Sequence, residues 1–289
     1  MTFKEQFNLY KCYIDNRIEV ITNNLDTHSD LKNSLSYSLK AGGKRIRPIM
    51  FIATLEALGI NYEKYVDLAV AIECIHTYSL IHDDLPALDN DDYRRGKPSN
   101  HKAFGEGMAI LAGDALLNLA IELALNCIDS RGALNAVKLL FNYSGVYGML
   151  NGQAHDLAYE NTVIENSEQA LLKLDELKTG KLLTAPLVMA SLIAEEKYLD
   201  ELTQLGQLTG TLFQLTDDLL DVVGSFENMG KTLGKDAATG KLTAVSVFGI
   251  KKTKLLIDET YTSIVKMLKI FDNNSFFNGF YECIKNRNN

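Results

Sequence analysis

Residues 199–223 read LDELTQLGQLTGTLFQLTDDLLDVV. Leu199, Leu202, Leu205, Thr209, Leu212, Phe213, Leu219, Leu220 and Val223 recur every three or four positions, the period of one helix face rather than of a strand. The stripe runs straight into Asp217, Asp218 and Asp221. Asp217 and Asp221 are four residues apart and so share a face one turn apart, whereas Asp218 is rotated from Asp217 by about 100°. A second stripe, Val66, Ala69, Val70, Ile72, Ile75, Ser79 and Leu80, leads into Asp83-Asp84-Leu85-Pro86-Ala87-Leu88-Asp89. Two long buried helices are expected, each ending in carboxylates.

Working outward, only four prolines interrupt the chain, and helical spacing of apolar residues dominates, so the fold is expected to be all-α. Breaks are expected at Ala41-Gly42-Gly43, Asn90 to Asn100, Leu177 to Gly180 and Gly224 to Gly240. No repeat, low-complexity run or linker divides the sequence, and 289 residues at 46% hydrophobic content suffice for one domain over 1–289. A formal charge of -8 argues against nucleic acid as a partner. Cys12, Cys74, Cys127 and Cys283 form no CxxC pair, and the start MTFKEQFNLY lacks a signal-peptide pattern, which suits a reducing cytoplasm. The most apolar stretch, Met108 to Leu125, is interrupted by Asp114, Asn118 and Glu122, so no uninterrupted run of roughly 18 apolar residues exists. A soluble protein without a membrane span is expected.

Six carboxylates gathered in a partly dry cleft repel one another unless a cation neutralises them. Oxygen ligands without Cys or His at ligand spacing select a hard ion, and Mg²⁺ commonly bridges carboxylates and phosphates. Pro86 should bend the chain after Asp83 and return Asp89 toward the same ion. Clustered cations sit close in sequence: Gly42-Gly43-Lys44-Arg45-Ile46-Arg47-Pro48 ahead of a helix, and Arg94-Arg95-Gly96-Lys97-Pro98 after the first acidic cluster. His76, seven residues before Asp83, is two turns away on the same face. Plain helix caps are the bland alternative for either acidic cluster. His82-Asp83 also invites comparison with HD-type phosphohydrolases, but His28, His101 and His155 fall in no matching arrangement. Gly230-Lys231-Thr232 fails as a nucleotide-binding loop on spacing, because Gly224 is one position too distant and a helix precedes it.

The ordered set GGKRIRP, ECIHTYSLIHDDLPALDNDDYRRGKPSNH, LAGDAL, NGQAHDL, LKTGKLL, FQLTDDLLDVVG, LGKD and GKLT resembles the bacterial short-chain trans-isoprenyl diphosphate synthases over nearly the whole chain, most of all those that make farnesyl diphosphate. The resemblance implies an isoprenoid synthase-type helical bundle around a deep central cavity, usually a homodimer, with the acidic motifs facing across its mouth. It implies Asp83, Asp89 and Asp217 as chief Mg²⁺ ligands and Asp84, Asp218 and Asp221 in support. Arg94, Lys178, Lys231 and Lys241 would hold the allylic diphosphate, and Lys44, Arg47, His76 and Arg95 isopentenyl diphosphate. Thr179 and Gln214 would turn oxygens toward the allylic cation. The catalytic set implied is Asp83, Asp84, Asp89, Arg94, Lys178, Thr179, Gln214, Asp217 and Lys231. Tyr78, five residues before Asp83, resembles the floor that limits chain length, with the smaller Ser79 leaving room above it. Asn151 stands where the family often has glycine, and Leu215-Thr216 replaces a more polar pair, departures that touch none of these ligands.

The implied reaction is condensation of isopentenyl diphosphate with dimethylallyl and geranyl diphosphate to give farnesyl diphosphate. A geranylgeranyl diphosphate synthase would share every diphosphate contact and differ in cavity depth. A terpene cyclase would lack GGKRIRP and carry an Asn/Ser/Glu motif in place of Asp217 to Asp221. A noncatalytic helical partner subunit would show eroded aspartates and cations, and here they are intact.

Overall fold

The structure, a computed structural model, describes residues 1–160, 162, 164–223 and 241–286. The expectation of an all-α chain holds. Helices α1 (Phe3–Asn23), α2 (Ser29–Leu39), α3 (Ile46–Ala57), α4 (Val66–Asp83), α5 (Asn100–Phe104), α6 (Glu106–Leu125) and α7 (Arg131–Ser144) form the first half. They are followed by α8 (Met149–Tyr159), α9 (Ser167–Asp175), α10 (Lys181–Ile193), α11 (Leu199–Val223), α12 (Ala244–Met267) and α13 (Ser275–Lys285). The described strands are two short ones, β1 (Tyr93–Arg94) and β2 (Lys97–Pro98), in the segment read as a loop.

Helix α4 is the axis. Leu68, Ala69, Val70, Ala71, Ile72, Cys74 and Ile75 are buried on every side of it, as a helix that is apolar all round must be. It packs on α6, α3, α1 and α2, while α10 packs on α3, α7 and α11, and α11 on α12. Small residues at Ala109, Ala112, Gly113 and Ala120 form the buried face of α6 and let its backbone approach α4. The two stripes read from the sequence are thus the two core helices, and both deliver their aspartates at a C-terminal end. Among the described helices, α6 alone is long and apolar enough to cross a membrane, despite Asp114, Asn118 and Glu122. One face is packed on α4, and the other exposes Ile110, Leu111, Ile121 and Leu125.

In the glycine-rich turn before α3, Arg45 goes a different way from Lys44 and Arg47, the two cations expected to hold a diphosphate. Arg45, in the left-handed region with φ 51, turns inward. Its Nε lies 2.8 Å from Asp15 of α1, its Nη1 2.7 Å from Glu73 of α4, and its Nη2 donates to the Leu39 carbonyl at 2.6 Å. Lys44 and Arg47 instead face the interhelical cavity. Arg45 therefore clamps α1, α2 and α4 around the start of α3, and Glu73, only 2% exposed, depends on it for neutralisation. Arg45→Ala is expected to strand that carboxylate and to cost about 3 kcal/mol or more in urea unfolding followed by circular dichroism. A loss under about 1 kcal/mol, the scale of an exposed pair, would show the clamp to be marginal.

Candidate functional site

The first acidic motif is shaped by the end of α4. After Asp83 the chain turns on itself around Pro86, and the Asp89 amide donates to the Asp83 carbonyl at 2.8 Å. The expected return of Asp89 toward Asp83 is observed. The β1–β2 hairpin follows, its two turn residues Arg95 and Gly96 both at positive φ, as a tight hairpin requires. This turn sends two consecutive arginines to different places. Arg94 donates through Nε to Asp84 at 2.9 Å and pairs with Asp91, whereas Arg95 donates to the carbonyl of Gly42. A side chain at Gly43, whose φ is +120, would place its Cβ 2.8 Å from the Arg95 guanidinium carbon, so only glycine accommodates the contact.

The second motif occupies the last two turns of α11. Asp217 lines the cleft. Asp218, 4% exposed, accepts from Gln214 Nε2 at 2.7 Å and from the Ala244 amide at 2.6 Å, which places its charge at the N-terminus of α12. Asp221 is buried as well. Gln214 accepts in turn from the Thr179 hydroxyl at 2.8 Å, so the two residues expected to act together are joined.

Leu177 to Gly180 does not break the chain as expected. Glu176–Gly180 is a π-helical turn that joins α9 to α10 without a gap and presents Lys178 and Thr179 to the cleft. The glycine signal belongs instead to close packing: a Cβ at Gly210 of α11 would lie 2.6 Å from the Gly180 Cα, and one at Gly152 of α8 2.2 Å from the Lys178 backbone nitrogen. Lys178 pairs with Asp156 of α8. Lys241, just before α12, lies 2.7 Å from Asp89 and 3.8 Å from Asp156.

These elements enclose a cavity of about 560 Å³. Lys44, Arg47, His76, Asp83, Arg94, Arg95, Lys178, Thr179, Gln214 and Asp217 line it, as do Tyr78 and Ser79 on the α4 wall. Its apolar wall includes Leu88, Met149, Leu182, Phe213 and Leu220. Asp84, Asp89, Asp218 and Lys241 lie outside that lining and are fixed by the contacts above, and Asp221 is buried. Lys231 and the Gly224 to Gly240 loop lie outside the described residues.

The electrostatics follow from burial opposed by charge. Burial, with Lys178 opposing it and Asp89 adding to it, pushes the Asp83 carboxyl up to about 6. Asp84 is raised by burial against the pull of Arg94. Burial would raise Asp89 too, but Lys241 and Lys178 overcome it and hold the group below its ordinary value. His76 is driven well below the usual imidazole range by burial and then by Arg47, Arg95 and Arg94, so it is neutral and can donate a hydrogen bond at pH 7.

Two contributors carry no role in the sequence reading. Asp156 and Gln153 both lie in the NGQAHDL stretch on α8. Asp156 is the shared counter-ion of Lys178 and Lys241, and the Gln153 Nε2 is buried with no hydrogen-bond partner among the described residues, an orphan donor beside the cavity. A signal exists in the sequence: an Asp four residues from a glycine on a helix, with two lysines distant in sequence to neutralise.

The residues fit a divalent cation in their chemistry. The available donors are carboxylate oxygens, and a carboxylate held as high as Asp83 gains from a nearby positive charge. Among the described residues no three such side chains stand close enough together to hold an ion on their own. Because protons and cation compete for Asp83, Mg²⁺ is expected to raise the melting temperature at pH 7.5, and the gain should shrink below about pH 6. An increment that is the same at pH 5 and pH 7.5 would remove Asp83 from the cation site.

Comparison with known proteins gives a family and relatives that cover most of the chain. The polyprenyl synthetase model matches residues 28–269. A farnesyl diphosphate synthase of Micrococcus luteus is 45% identical over 85% of this chain and 86% of its own length. Geranylgeranyl pyrophosphate synthase 4 of Arabidopsis thaliana is 40% identical over 91% of this chain and 73% of its own. Among solved structures, the geranyltransferase of Helicobacter pylori complexed with magnesium and isoprenyl diphosphate superposes with a TM-score of 0.83 at 32% identity, covering 97% of this chain and 96% of that one.

Proposed function

The chain belongs to the polyprenyl synthetase family, and we propose that it is a trans-prenyltransferase that condenses isopentenyl diphosphate with dimethylallyl and then geranyl diphosphate to release farnesyl diphosphate. The observation that carries this reading is a shared cavity lined by Asp83 of one core helix and Asp217 of another, ringed by cations from the hairpin, the pre-α3 turn and the π-helical turn. A scaffold subunit would have no need of such a charge arrangement. A divalent metal requirement follows from the family relationship, and Mg²⁺ is the ion we assign.

Asp83, Asp89 and Asp217 would hold Mg²⁺, with Asp84, Asp218 and Asp221 fixing them from behind. Bound there, Mg²⁺ would supply neutralisation of the charge that grows on the departing diphosphate. Arg94, Lys178 and Lys241 now neutralise Asp84, Asp156 and Asp89. In the loaded site Arg94 and Lys178 would reach the allylic diphosphate while still neutralising Asp84 and Asp156. With the charge of Asp89 taken over by Mg²⁺, Lys241 would be freed for the diphosphate, so that no buried charge is left unpaired; Lys231 is assigned to the same diphosphate. Lys44, Arg47 and Arg95 hold isopentenyl diphosphate, and the neutral His76 donates to it. Thr179 and Gln214 direct oxygen dipoles at the allylic cation once its C–O bond ionises. The double bond of isopentenyl diphosphate attacks that cation, the new C–C bond forms, and the proton lost from C2 passes to the freed diphosphate. Leu88, Met149, Leu182, Phe213 and Leu220 exclude the water that would otherwise capture the cation.

The hydrocarbon tail descends along α4 toward Tyr78, which is 4% exposed and whose phenol burial, then Asp83, raise to about 12, so it remains neutral. This ring is the proposed floor. We further propose a single domain over 1–289, a cytoplasmic location and a homodimer in which a second copy covers Ile110, Leu111, Ile121 and Leu125 of α6. Asp83→Ala is expected to lower turnover of isopentenyl and dimethylallyl diphosphate with Mg²⁺ by about 1000-fold, the scale of a lost transition-state charge contact, while leaving helical circular dichroism intact. Near-normal diphosphate release by that variant would overturn the reading. Tyr78→Ala should shift product chromatography beyond fifteen carbons. An unchanged profile would place the floor elsewhere.

A further inference from the structure

Tyr78 does not stand alone on the α4 wall of the cavity. His82, one turn further along α4, lines the same space, and the two rings meet edge to face with centroids 5.9 Å apart at 74°. The imidazole is fixed from its other side by α6, where its Nε2 lies 3.2 Å from the Ile110 carbonyl and donates to it. Below the ring is Gly113. A Cβ at that position would fall 2.1 Å from His82 Nε2, 2.5 Å from Cδ2 and 2.8 Å from Cε1. Glycine inside a helix costs about 1 kcal/mol relative to alanine. Gly113 has no positive φ to justify that cost, and the ring above it is what the missing side chain accommodates.

We propose that His82 and Gly113 determine product length together with Tyr78. The notch over Gly113 seats the His82 ring, and the seated ring props Tyr78 across the foot of the cavity. His82 is thus a positioning residue that acts through Tyr78, and the depth of the cavity is set by the α4–α6 contact as well as by the bulk of one side chain. This rests on Tyr78 being the floor, and it extends control of product length to a residue on a different helix.

The test is product chromatography of the full chain with Mg²⁺, isopentenyl diphosphate and dimethylallyl diphosphate, for His82→Ala, Gly113→Ala and the double variant. Without the prop, His82→Ala is expected to raise the share of products longer than fifteen carbons about 10-fold, the discrimination a small change in an apolar pocket gives. In Gly113→Ala the methyl group drives the ring toward the cavity, and the geranyl diphosphate share should rise by a similar factor. In the double variant that methyl group meets no ring, so the geranyl excess should vanish and the longer products return. A role confined to general stability would leave the two changes additive. A wild-type profile from His82→Ala, or a Gly113→Ala effect that persists in the double variant, would overturn the proposal. Should His82→Ala fail to fold, His82→Gln keeps a donor for Ile110 without the ring and is read by the same criterion. Longer products from Tyr78→Ala combined with wild-type products from His82→Ala would sink this inference alone, whereas unchanged products from Tyr78→Ala would remove the floor itself.

Discussion

Repulsion among carboxylates in a partly dry cleft is the constraint around which the molecule is arranged. Asp83, Asp84, Asp89, Asp156, Asp217 and Asp218 gather around the cavity bordered by α4, α8 and α11, and none can be left bare without a large desolvation cost. The protein answers with donors brought from far along the chain. Lys241 reaches Asp89 and Asp156, Lys178 reaches Asp156, Arg94 reaches Asp84, and the Ala244 amide caps Asp218. Each lysine and arginine contact also fixes the orientation of a cation that a diphosphate can later claim. Satisfying the unloaded site and preorganising the loaded one are therefore the same act.

Most of this is legible in the sequence because it is local. The stripes on α4 and α11 mark the core helices, and the aspartate spacing sets the motif geometry, since a helix fixes what residues four apart can share. Pro86 signals the return of Asp89 because its ring forbids a continued helix. The errors share a cause as well. Arg45 groups with Lys44 and Arg47 on sequence alone because adjacency says nothing about direction, and a left-handed backbone at that residue turns it into the core toward Glu73. The glycine at 180 looks like a break because local propensity cannot register α8 and α11 pressing on that turn. Asp156 gains no role from the sequence since its partners, Lys178 and Lys241, are 22 and 85 positions away.

The same limit explains why a cavity lining is read less easily than its ligands. Ligands announce themselves by charge, whereas the shape of an apolar pocket depends on which ring rests on which helix. His82 looks like half of a metal-binding pair when read beside Asp83, but its partners are a tyrosine, a carbonyl and a missing methyl group. Its chemistry is that of a wedge.

The π-helical turn at Glu176–Gly180 has a consequence for how such a chain can vary. A wide turn holds one residue more than the α-helical path between the same two points. Deleting a residue there would restore the narrow path and rotate everything beyond it by about 100°, swinging the buried face of α10, with Leu182, Leu183 and Leu187, out of register with α3 and α11. Substitutions at this place alter one side chain, but a change in length would unscrew half the bundle, so the five-residue length of Glu176–Gly180 is a fixed gauge of the fold.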